Sequence, residues 1–561
     1  MALAYLDRLN QKQKEAVVCK APHVQILAGP GSGKTRVLTT RVAHLIRHHK
    51  VSPSSIMVAT FTRKAAKDMR ERLEKDELLG PDLANKVNMG TFHSLCAYYL
   101  RIHPSVVHLP QNFRIIDPQE GVKVLEKLIE ERQGSISSQT RATIKSYKGI
   151  AGEFQAAISK AKNEGFTAKT YGDRYMDSLE PLTHDIILIF NAYQQRLALE
   201  HLLDFDDLLL YGRDLFETFP DAAVGISHIL VDEFQDTNKV QYHIVHSLCT
   251  KKKHLTIVGD PDQSIYGFRN ANIANFKMMI NDFKGTRIVH LEENYRSTSS
   301  ILNGALHIIQ KDPERIEKGL FTKNSPGTPI SLMHCETELD ESQKIVHEIT
   351  RIIEYSHGLL KYKDIAVLVR MHYLTQNVES AFKASSIPYE IVGGMRFFER
   401  TEIRDLVGYV HFSFNPNDTL SFETIINTPR RGVDNSLMEK ISTLSRAHGK
   451  TVLDILDGLC RQDLNLGYAL PEKVLASLRA FIQLCTQVKT MMDLQVRLVP
   501  PKKVQVMTIH AAKGLEWPCV FLIACEDAII PHVKAKNVNE ERRLLYVAMT
   551  RAKCKSKPLF P

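Results

Sequence analysis

Gln25–Thr35 reads QILAGPGSGKT, and the fold class follows from it. Val24, Ile26 and Leu27 form a short apolar run of the kind a buried strand carries. Gly29, Pro30, Gly31, Ser32 and Gly33 then allow a tight loop with its backbone N–H groups turned inward. Lys34 and Thr35 open a helical pattern whose apolar positions are Val37, Leu38, Val42, Leu45 and Ile46. Strand, glycine-rich loop and helix N-terminus together make an anion nest for di- and triphosphates. In such a nest Lys34 reaches the β- and γ-phosphates, and the Thr35 hydroxyl holds Mg²⁺. Ala28 stands where the G-x-x-x-x-G-K-[ST] pattern wants its first glycine, an intrusion of one methyl group. A glycine-rich turn with no ligand is the competing reading. The strand before the loop and the helix after it favour the nucleotide. The nucleotide-contacting stretch is therefore Ala28, Gly29, Pro30, Gly31, Ser32, Gly33, Lys34, Thr35 and Arg36, and the expected cofactors are ATP and Mg²⁺.

Composition bounds the rest. A chain of 561 residues suggests three to four domains of ~150 residues each. Hydrophobic content of 43% and charged content of 24% are ordinary for a soluble globular protein. The formal net charge of +10 hints at a polyanionic partner. No apolar run approaches the ~18 residues of a membrane span, and the N-terminus carries no signal-peptide pattern. The nine cysteines are scattered without C-x-x-C pairs, as expected for reduced thiols in an intracellular protein with no zinc or iron–sulfur site.

Other segments fall into place around the loop. Gln13 precedes it by about a dozen residues. Alone it belongs to a surface helix; beside a bound nucleotide its amide can pair with the N6/N7 edge of adenine. Ile56–Thr60, followed by Phe61-Thr62-Arg63, and Gly90-Thr91-Phe92-His93-Ser94 are strand-to-helix junctions. Open α/β sheets bind ligands outside the carboxyl ends of their strands, so these junctions share an edge with the loop. Residues 113–190 show helical patterns and no clear strand, which implies a helical insertion. Ile229-Leu230-Val231-Asp232-Glu233 restores the sheet and ends in adjacent carboxylates. Asp232 suits the metal shell, and Glu233 suits orienting and deprotonating an attacking water. Leu255–Val258 ends in Gly259-Asp260-Pro261-Asp262-Gln263, which sets Gln263 to touch the γ-phosphate. Tyr266, Phe268 and Arg269 follow; they are either core aromatics or a stacking face for single-stranded bases. Tyr295 and Arg296 pair a ring for adenine with a guanidinium for the γ-phosphate. A second α/β unit has strands at Ile365–Val369, Val504–Thr508 and Val520–Ile523, no phosphate loop, and a final helix, Glu540–Lys553, with Arg551 close behind Arg542 and Arg543. An arginine supplied across a cleft is the expected role of that helix. A second helical insertion lies between Arg396 and Pro500.

The ordered blocks LNxxQxxAV, AGPGSGKT, ATFTRKAA, GTFHSLC, LDFDDLL, ILVDEFQDTN, VGDPDQSIYGFR, LEENYRST, IPYEIVGGMRFFER, MTIHAAKGLEWP and EERRLLYVAMTRA run from Leu9 to Ala552. Together they resemble UvrD/PcrA/Rep-type DNA helicases of superfamily 1. RVAHLIRHH, FRIIDPQE, VDEFQDTN and VGDPDQSIYGFRNA resemble the fungal nuclear anti-recombinase branch most. The resemblance implies two RecA-like parallel-sheet motor domains, each with a mainly helical insertion. It divides the chain into 1–112 plus 191–285, insertion 113–190, 286–395 plus 501–561, and insertion 396–500. It implies a 3′→5′ single-stranded DNA translocase that unwinds duplexes in repair and recombination control. The implied partners are single-stranded DNA and its junctions with duplex, along with repair or recombination proteins; no membrane is implied, and the implied location is the nucleus. By position, Gln13 and Tyr295 hold adenine and Glu516 the ribose. Lys34, Thr35, Asp232 and Glu233 hold and hydrolyse MgATP, while Gln263, Arg296 and Arg551 contact the γ-phosphate. Phe61, Thr62, His93, Tyr266, Phe268, Arg269 and His510 match DNA-groove positions.

Two positions and two stretches depart from the pattern. Arg63 replaces the usual Asn, and Phe268 replaces the more frequent Trp. Met491–Leu498 leads almost directly into Lys503–Thr508, and after Ala552 the chain reads Lys553–Pro561 where the family has an apolar strand. This raises an alternative reading: a DNA-binding protein with little turnover, because a short second domain fails to place Arg551. A third reading is a phosphate-loop ATPase acting on RNA or protein.

Overall fold

The computed structural model describes residues 4–75, 77–132, 134–137, 147–249, 253–392, 401–414, 416, 422, 424–448, 450–461, 463–464, 470–491, 503–535 and 537–553. The expected short link after Met491, the block GGMRFFER and the tail Cys554–Pro561 lie wholly or mostly outside them.

The chain divides into two compact units. The first comprises Met1–Leu360, Asp364–Arg370 and Ala512–Pro561. Its centre is a six-stranded sheet of β1 (His23–Ala28), β2 (Ile56–Thr60), β3 (Asn88–Thr91), β4 (His228–Val231), β5 (His254–Gly259) and β6 (Arg287–Leu291). The order across the sheet is β3-β2-β4-β5-β1-β6, and every pairing is parallel. Parallel strands require crossovers, which the helices supply on both faces. Strand periodicity divides the core accordingly. Met57, Ala59, Ile229, Val231 and Ile257 pack on one face, while Ile56, Val58, Leu230, Val258 and Ile26 pack on the other.

The segment expected to be a helical insertion forms its own cluster around Leu125, Phe154, Ile189 and Phe190. One difference from expectation is a short parallel strand pair, Arg114–Ile115 with Leu202–Leu203, where the insertion leaves and rejoins the sheet. Two residues of ladder carry too little pattern to be read from sequence. The insertion is also tied down by Lys162, whose buried ammonium lies 2.6 Å from Asp204 and 2.7 Å from Asp207 of the DFDD stretch. This unit also holds the parallel pair β7 (Ile365–Val369) and β10 (Cys519–Leu522), paired from Ile365–Cys519 to Leu368–Leu522, and the helix Val538–Met549.

The second unit comprises Lys361–Lys363 and Met371–Ala511. It contains the parallel pair β8 (Tyr389–Val392) and β9 (Val504–Thr508). Its helices Thr401–Phe414, Asn435–His448, Val452–Cys460 and Glu472–Met491 enclose Phe412, Phe422, Ile425, Leu456 and Phe481.

Candidate active site

The phosphate loop follows β1 directly. Gly31 (φ +64°) and Gly33 (φ +87°) adopt the left-handed conformation that favours glycine. A Cβ on Gly31 would meet the Arg296 Cβ at 2.7 Å, and one on Gly33 would meet the Gln13 amide nitrogen at 2.9 Å. The loop is braced from below: Gly29 N–H donates to the Leu291 carbonyl at 3.1 Å, and Tyr295 N–H to the Gly31 carbonyl at 3.0 Å. Asn294, buried, donates to the Pro30 carbonyl at 2.7 Å and accepts from Arg296 N–H and Ser297 N–H, both at 2.8 Å. α1 (Lys34–Arg47) starts at Lys34, with Gly33 as its cap. No side-chain cap occupies this helix terminus, which leaves its amides for an anion.

The carboxylates at the end of β4 face the loop. Lys34 lies 3.6 Å from Glu233. Burial, followed by the charge of Glu233, pushes the Asp232 carboxyl well above its ordinary range. Burial acts on Glu233 in the same sense, but Lys34 and then Lys513 outweigh it and hold that carboxyl low. Asp232 accepts from Glu233 N–H at 3.0 Å and makes no ion pair among the described residues. A buried acid outside any described ion pair, one strand away from a phosphate loop, fits a divalent cation. Thr35, in the first turn of α1, is the second group that would hold it.

Beyond the carboxylates runs a continuous hydrogen-bonded path. Gln235 donates to Glu233 and accepts from Asp260 N–H at 2.8 Å. Asp260 accepts from the Gln263 amide and from Lys318. Lys318 also lies 3.1 Å from Asp262, and Arg315 donates to both oxygens of that carboxylate, at 3.0 Å through Nη2. Gln263 accepts from Arg551 Nη2 at 3.1 Å. Arg551 is 1% exposed; burial and the neighbouring Arg296 push its pKa down, yet at neutral pH it remains a cation. Lys513 donates to both Asp236 oxygens at 2.7 Å and to the Gln263 carbonyl at 2.6 Å. Asn294, Arg315, Lys318 and Lys513 were not singled out from sequence. Lys513 lies inside a quoted block, AAKGLEW, which was its one available signal.

The residues that the resemblance assigns to the base are more engaged with the protein than expected. Gln13 is 2% exposed. Its amide nitrogen donates to the Ser32 carbonyl at 2.9 Å, and its oxygen accepts from Asn10 N–H at 3.1 Å. It thus ties the helix Gln11–Val18 to the loop. Tyr295 is 42% exposed; its hydroxyl accepts from Asn10 at 2.6 Å and donates to Glu293 at 2.8 Å, which fixes the ring. Glu516 pairs with Arg296 and, at 2.6 Å, with Lys553. Burial opposes ionisation there, but Arg296 and Lys553 keep the carboxyl below its usual range.

Beside the site, Phe61 stacks on Tyr266 with centroids 5.0 Å apart, and Phe268 lies 5.8 Å from Tyr266. The Arg269 guanidinium sits 5.5 Å from the Tyr266 ring and 5.6 Å from that of Phe268. Lys513 approaches Tyr266 at 4.9 Å, so one lysine touches Asp236, Gln263 and the aromatic group. Thr62 caps the helix Arg63–Leu73 by accepting from Ala65 N–H. His93 packs edge-on to Phe205 at 6.0 Å, and burial followed by Arg63 pushes its pKa down to about 4. His510 belongs to the second unit, in the short helix Ile509–Ala512.

What this arrangement can do is grip a polyphosphate tail and set water and cations against its last phosphorus. That defines a nucleotide hydrolase of the phosphate-loop class, built on a parallel α/β sheet. More narrowly, the chain belongs to the UvrD/Rep helicase family: the UvrD/REP helicase N-terminal domain matches residues 9–284, and the UvrD-like helicase C-terminal domain matches 289–465 and 462–556. It is 34% identical to the ATP-dependent DNA helicase srs2 of Schizosaccharomyces pombe, over 98% of this chain and 71% of that protein. It is also 34% identical to the ATP-dependent DNA helicase PcrA of Staphylococcus aureus, over 98% of this chain and 82% of that one. PcrA of Staphylococcus epidermidis is similar at 34%, over 98% and 83%.

Proposed function

We propose that this protein is an ATP-dependent 3′→5′ DNA helicase that translocates on single-stranded DNA and acts in repair and recombination control. The observation that carries it is the path from Lys34 and Glu233 through Asp260 and Gln263 to Arg551, with Lys513 joining it to the aromatic group. Lys34 and the loop amides bind the phosphates. Glu233, held ionised by Lys34 and Lys513, orients water and takes its proton. Gln263, Arg296 and Arg551 meet the charge that develops on the γ-phosphate. Asp232 and Thr35 would hold Mg²⁺, which supplies charge neutralisation of the phosphate oxygens when bound. Gln13, Tyr295 and Glu516 surround the nucleoside. Phe61, Thr62, His93, Tyr266, Phe268, Arg269 and His510 form the DNA contacts, where aromatic rings take stacked bases without reading sequence.

The functional division follows the four parts expected from sequence: motor domain 1–112 plus 191–285 with insertion 113–190, and motor domain 286–395 plus 501–561 with insertion 396–500. The substrates are single strands and their junctions with duplex; repair or recombination proteins are further partners. No described helix is long and apolar enough to cross a membrane. The likeness to srs2, a fungal protein, supports a nuclear location. The contact of Arg551 with Gln263 favours turnover over DNA binding alone.

The test is ATP hydrolysis with and without single-stranded DNA, with Lys34→Ala and Glu233→Gln as controls. DNA-stimulated hydrolysis that both substitutions abolish supports the reading; strand displacement from a 3′ tail then fixes polarity. DNA binding with no ATP turnover at any salt concentration refutes it.

A further inference from the structure

α1 begins at the phosphate loop and ends among histidines. It has 14 residues, so its two ends lie about 20 Å apart. His44 is buried in its last turn, and His48 and His49 follow, both exposed. His48 N–H and His49 N–H both donate to the His44 carbonyl, at 2.9 and 3.3 Å, which fixes the backbone beneath the rings. The rings crowd together: centroids are 4.7 Å apart for His44–His48, 5.0 Å for His44–His49 and 4.9 Å for His48–His49. One nitrogen from each lies within 4.8 Å of the other two.

We propose that His44, His48 and His49 form a binding site for a borderline divalent transition ion, with Zn²⁺ as the reference. The site is separate from the nucleotide site and does not depend on the helicase reading. Histidines at i and i+4 share a helix face, so His44 and His48 can ligate one ion. Zn–N bonds of ~2.0–2.1 Å require ligand nitrogens ~3.4 Å apart. Rotation of the exposed His48 and His49 side chains closes the remaining gap. His44 is the anchor, because its Nδ1 is 3.0 Å from the Tyr5 hydroxyl. In the tautomer that donates from Nδ1 to Tyr5, Nε2 is the free ligand, the outer-sphere arrangement common to metal-bound histidine.

The electrical setting selects the kind of ion. The charged groups around the rings are Lys20, Arg41 and Arg47, with His254 also facing His49. An all-nitrogen donor set does not suit Mg²⁺ or Ca²⁺, which take oxygen ligands, but it suits Zn²⁺, Ni²⁺ and Cu²⁺. The helix C-terminus places partial negative charge beside the ion and offsets part of the cationic surroundings. The bound ion would pin the end of α1 to the N-terminal segment through Tyr5, adding thermal stability and no chemistry.

Untagged full-length protein is titrated with Zn²⁺ alone against a chromophoric chelator, and thermal unfolding is followed with and without the ion. The expected result is one equivalent bound and a raised Tm. His48→Ala/His49→Ala, at exposed positions, should lose that equivalent, weaken binding at least ~10-fold and abolish the Tm shift, and Tyr5→Phe should weaken binding about tenfold. Mg²⁺ should not compete. A double variant that binds Zn²⁺ with unchanged stoichiometry and affinity overturns the proposal, as does a wild-type chain that takes up none at ~100 µM, a weak limit for a three-histidine set.

Discussion

Arg551 donates to the side-chain oxygen of Gln263 at 3.1 Å, across 288 positions of sequence. The contact joins the turn after the helix Val538–Met549, the last among the described residues, to the loop after β5. Two side chains expected to meet the γ-phosphate are thus already in register, each less than 5% exposed.

Arg551→Ala should lower DNA-stimulated kcat by ~10³-fold or more, the scale of an arginine that neutralises transferring phosphate. Arg551→Lys should not restore it, because a single ammonium cannot reproduce the guanidinium's fan of donors. Gln263→Ala should cost much of the same factor, and the double variant should lose less than the sum. Steady-state hydrolysis of the three variants checks this; strict additivity would separate the two roles.

Phe268 is 64% exposed, so its removal leaves the core intact. Phe268→Ala should weaken single-stranded DNA binding by ~1–3 kcal/mol. ATP affinity without DNA should stay at the wild-type level. Fluorescence anisotropy with a short oligonucleotide measures the first, and nucleotide titration the second.

Lys318 is the buried counter-charge of the loop that carries Gln263. Its side chain is 1% exposed, and those of Asp260 and Asp262 are 0% and 2%. Lys318→Met keeps the volume but leaves Asp260 without its ammonium. Removing one partner of such a buried pair costs ~3–5 kcal/mol. Denaturant unfolding followed through Trp517, the single tryptophan, reads the loss. A change under ~1 kcal/mol would mean that Arg315 suffices for both carboxylates.

The first residues of β1, β4 and β5 are His23, His228 and His254. Burial pushes His228 down to about 4, with further lowering by His254, Arg41 and His49. A base whose folded pKa is depressed stays neutral in the native state while the unfolded chain takes up a proton. Its stability contribution is therefore complete above the unfolded value of ~6.5 and is lost as pH falls from there towards 4. Tm should drop between pH 7 and 5, and His228→Asn should drop less. Equal slopes in the two proteins would assign the acid sensitivity elsewhere.

Much of this was legible in the sequence because it is local. The phosphate loop, β1, β2 and the acidic end of β4 are contiguous runs whose period and glycines state their structure. The helical insertion was equally plain in its 3.6-residue pattern, while the two-residue ladder at its base was too short to leave a mark. Lys318 was missed for another reason. Its partners lie 58 and 56 positions away, and a lone lysine in a polar stretch looks like solvated surface. Asn294 carries no role that its local sequence states, and only the fold aims its amide at Pro30.

The sequence by itself determined the class of site, because a nucleotide nest is built from consecutive backbone amides and needs its glycines, lysine and hydroxyl in one fixed spacing. Tertiary structure alone decided which charges meet. It buried Asp232 outside any described ion pair, gave Asp260 its lysine, set Lys513 between Asp236 and Tyr266, and brought Arg551 to Gln263. Those outcomes depend on desolvation and on distances between residues far apart in the chain, and no local pattern encodes either.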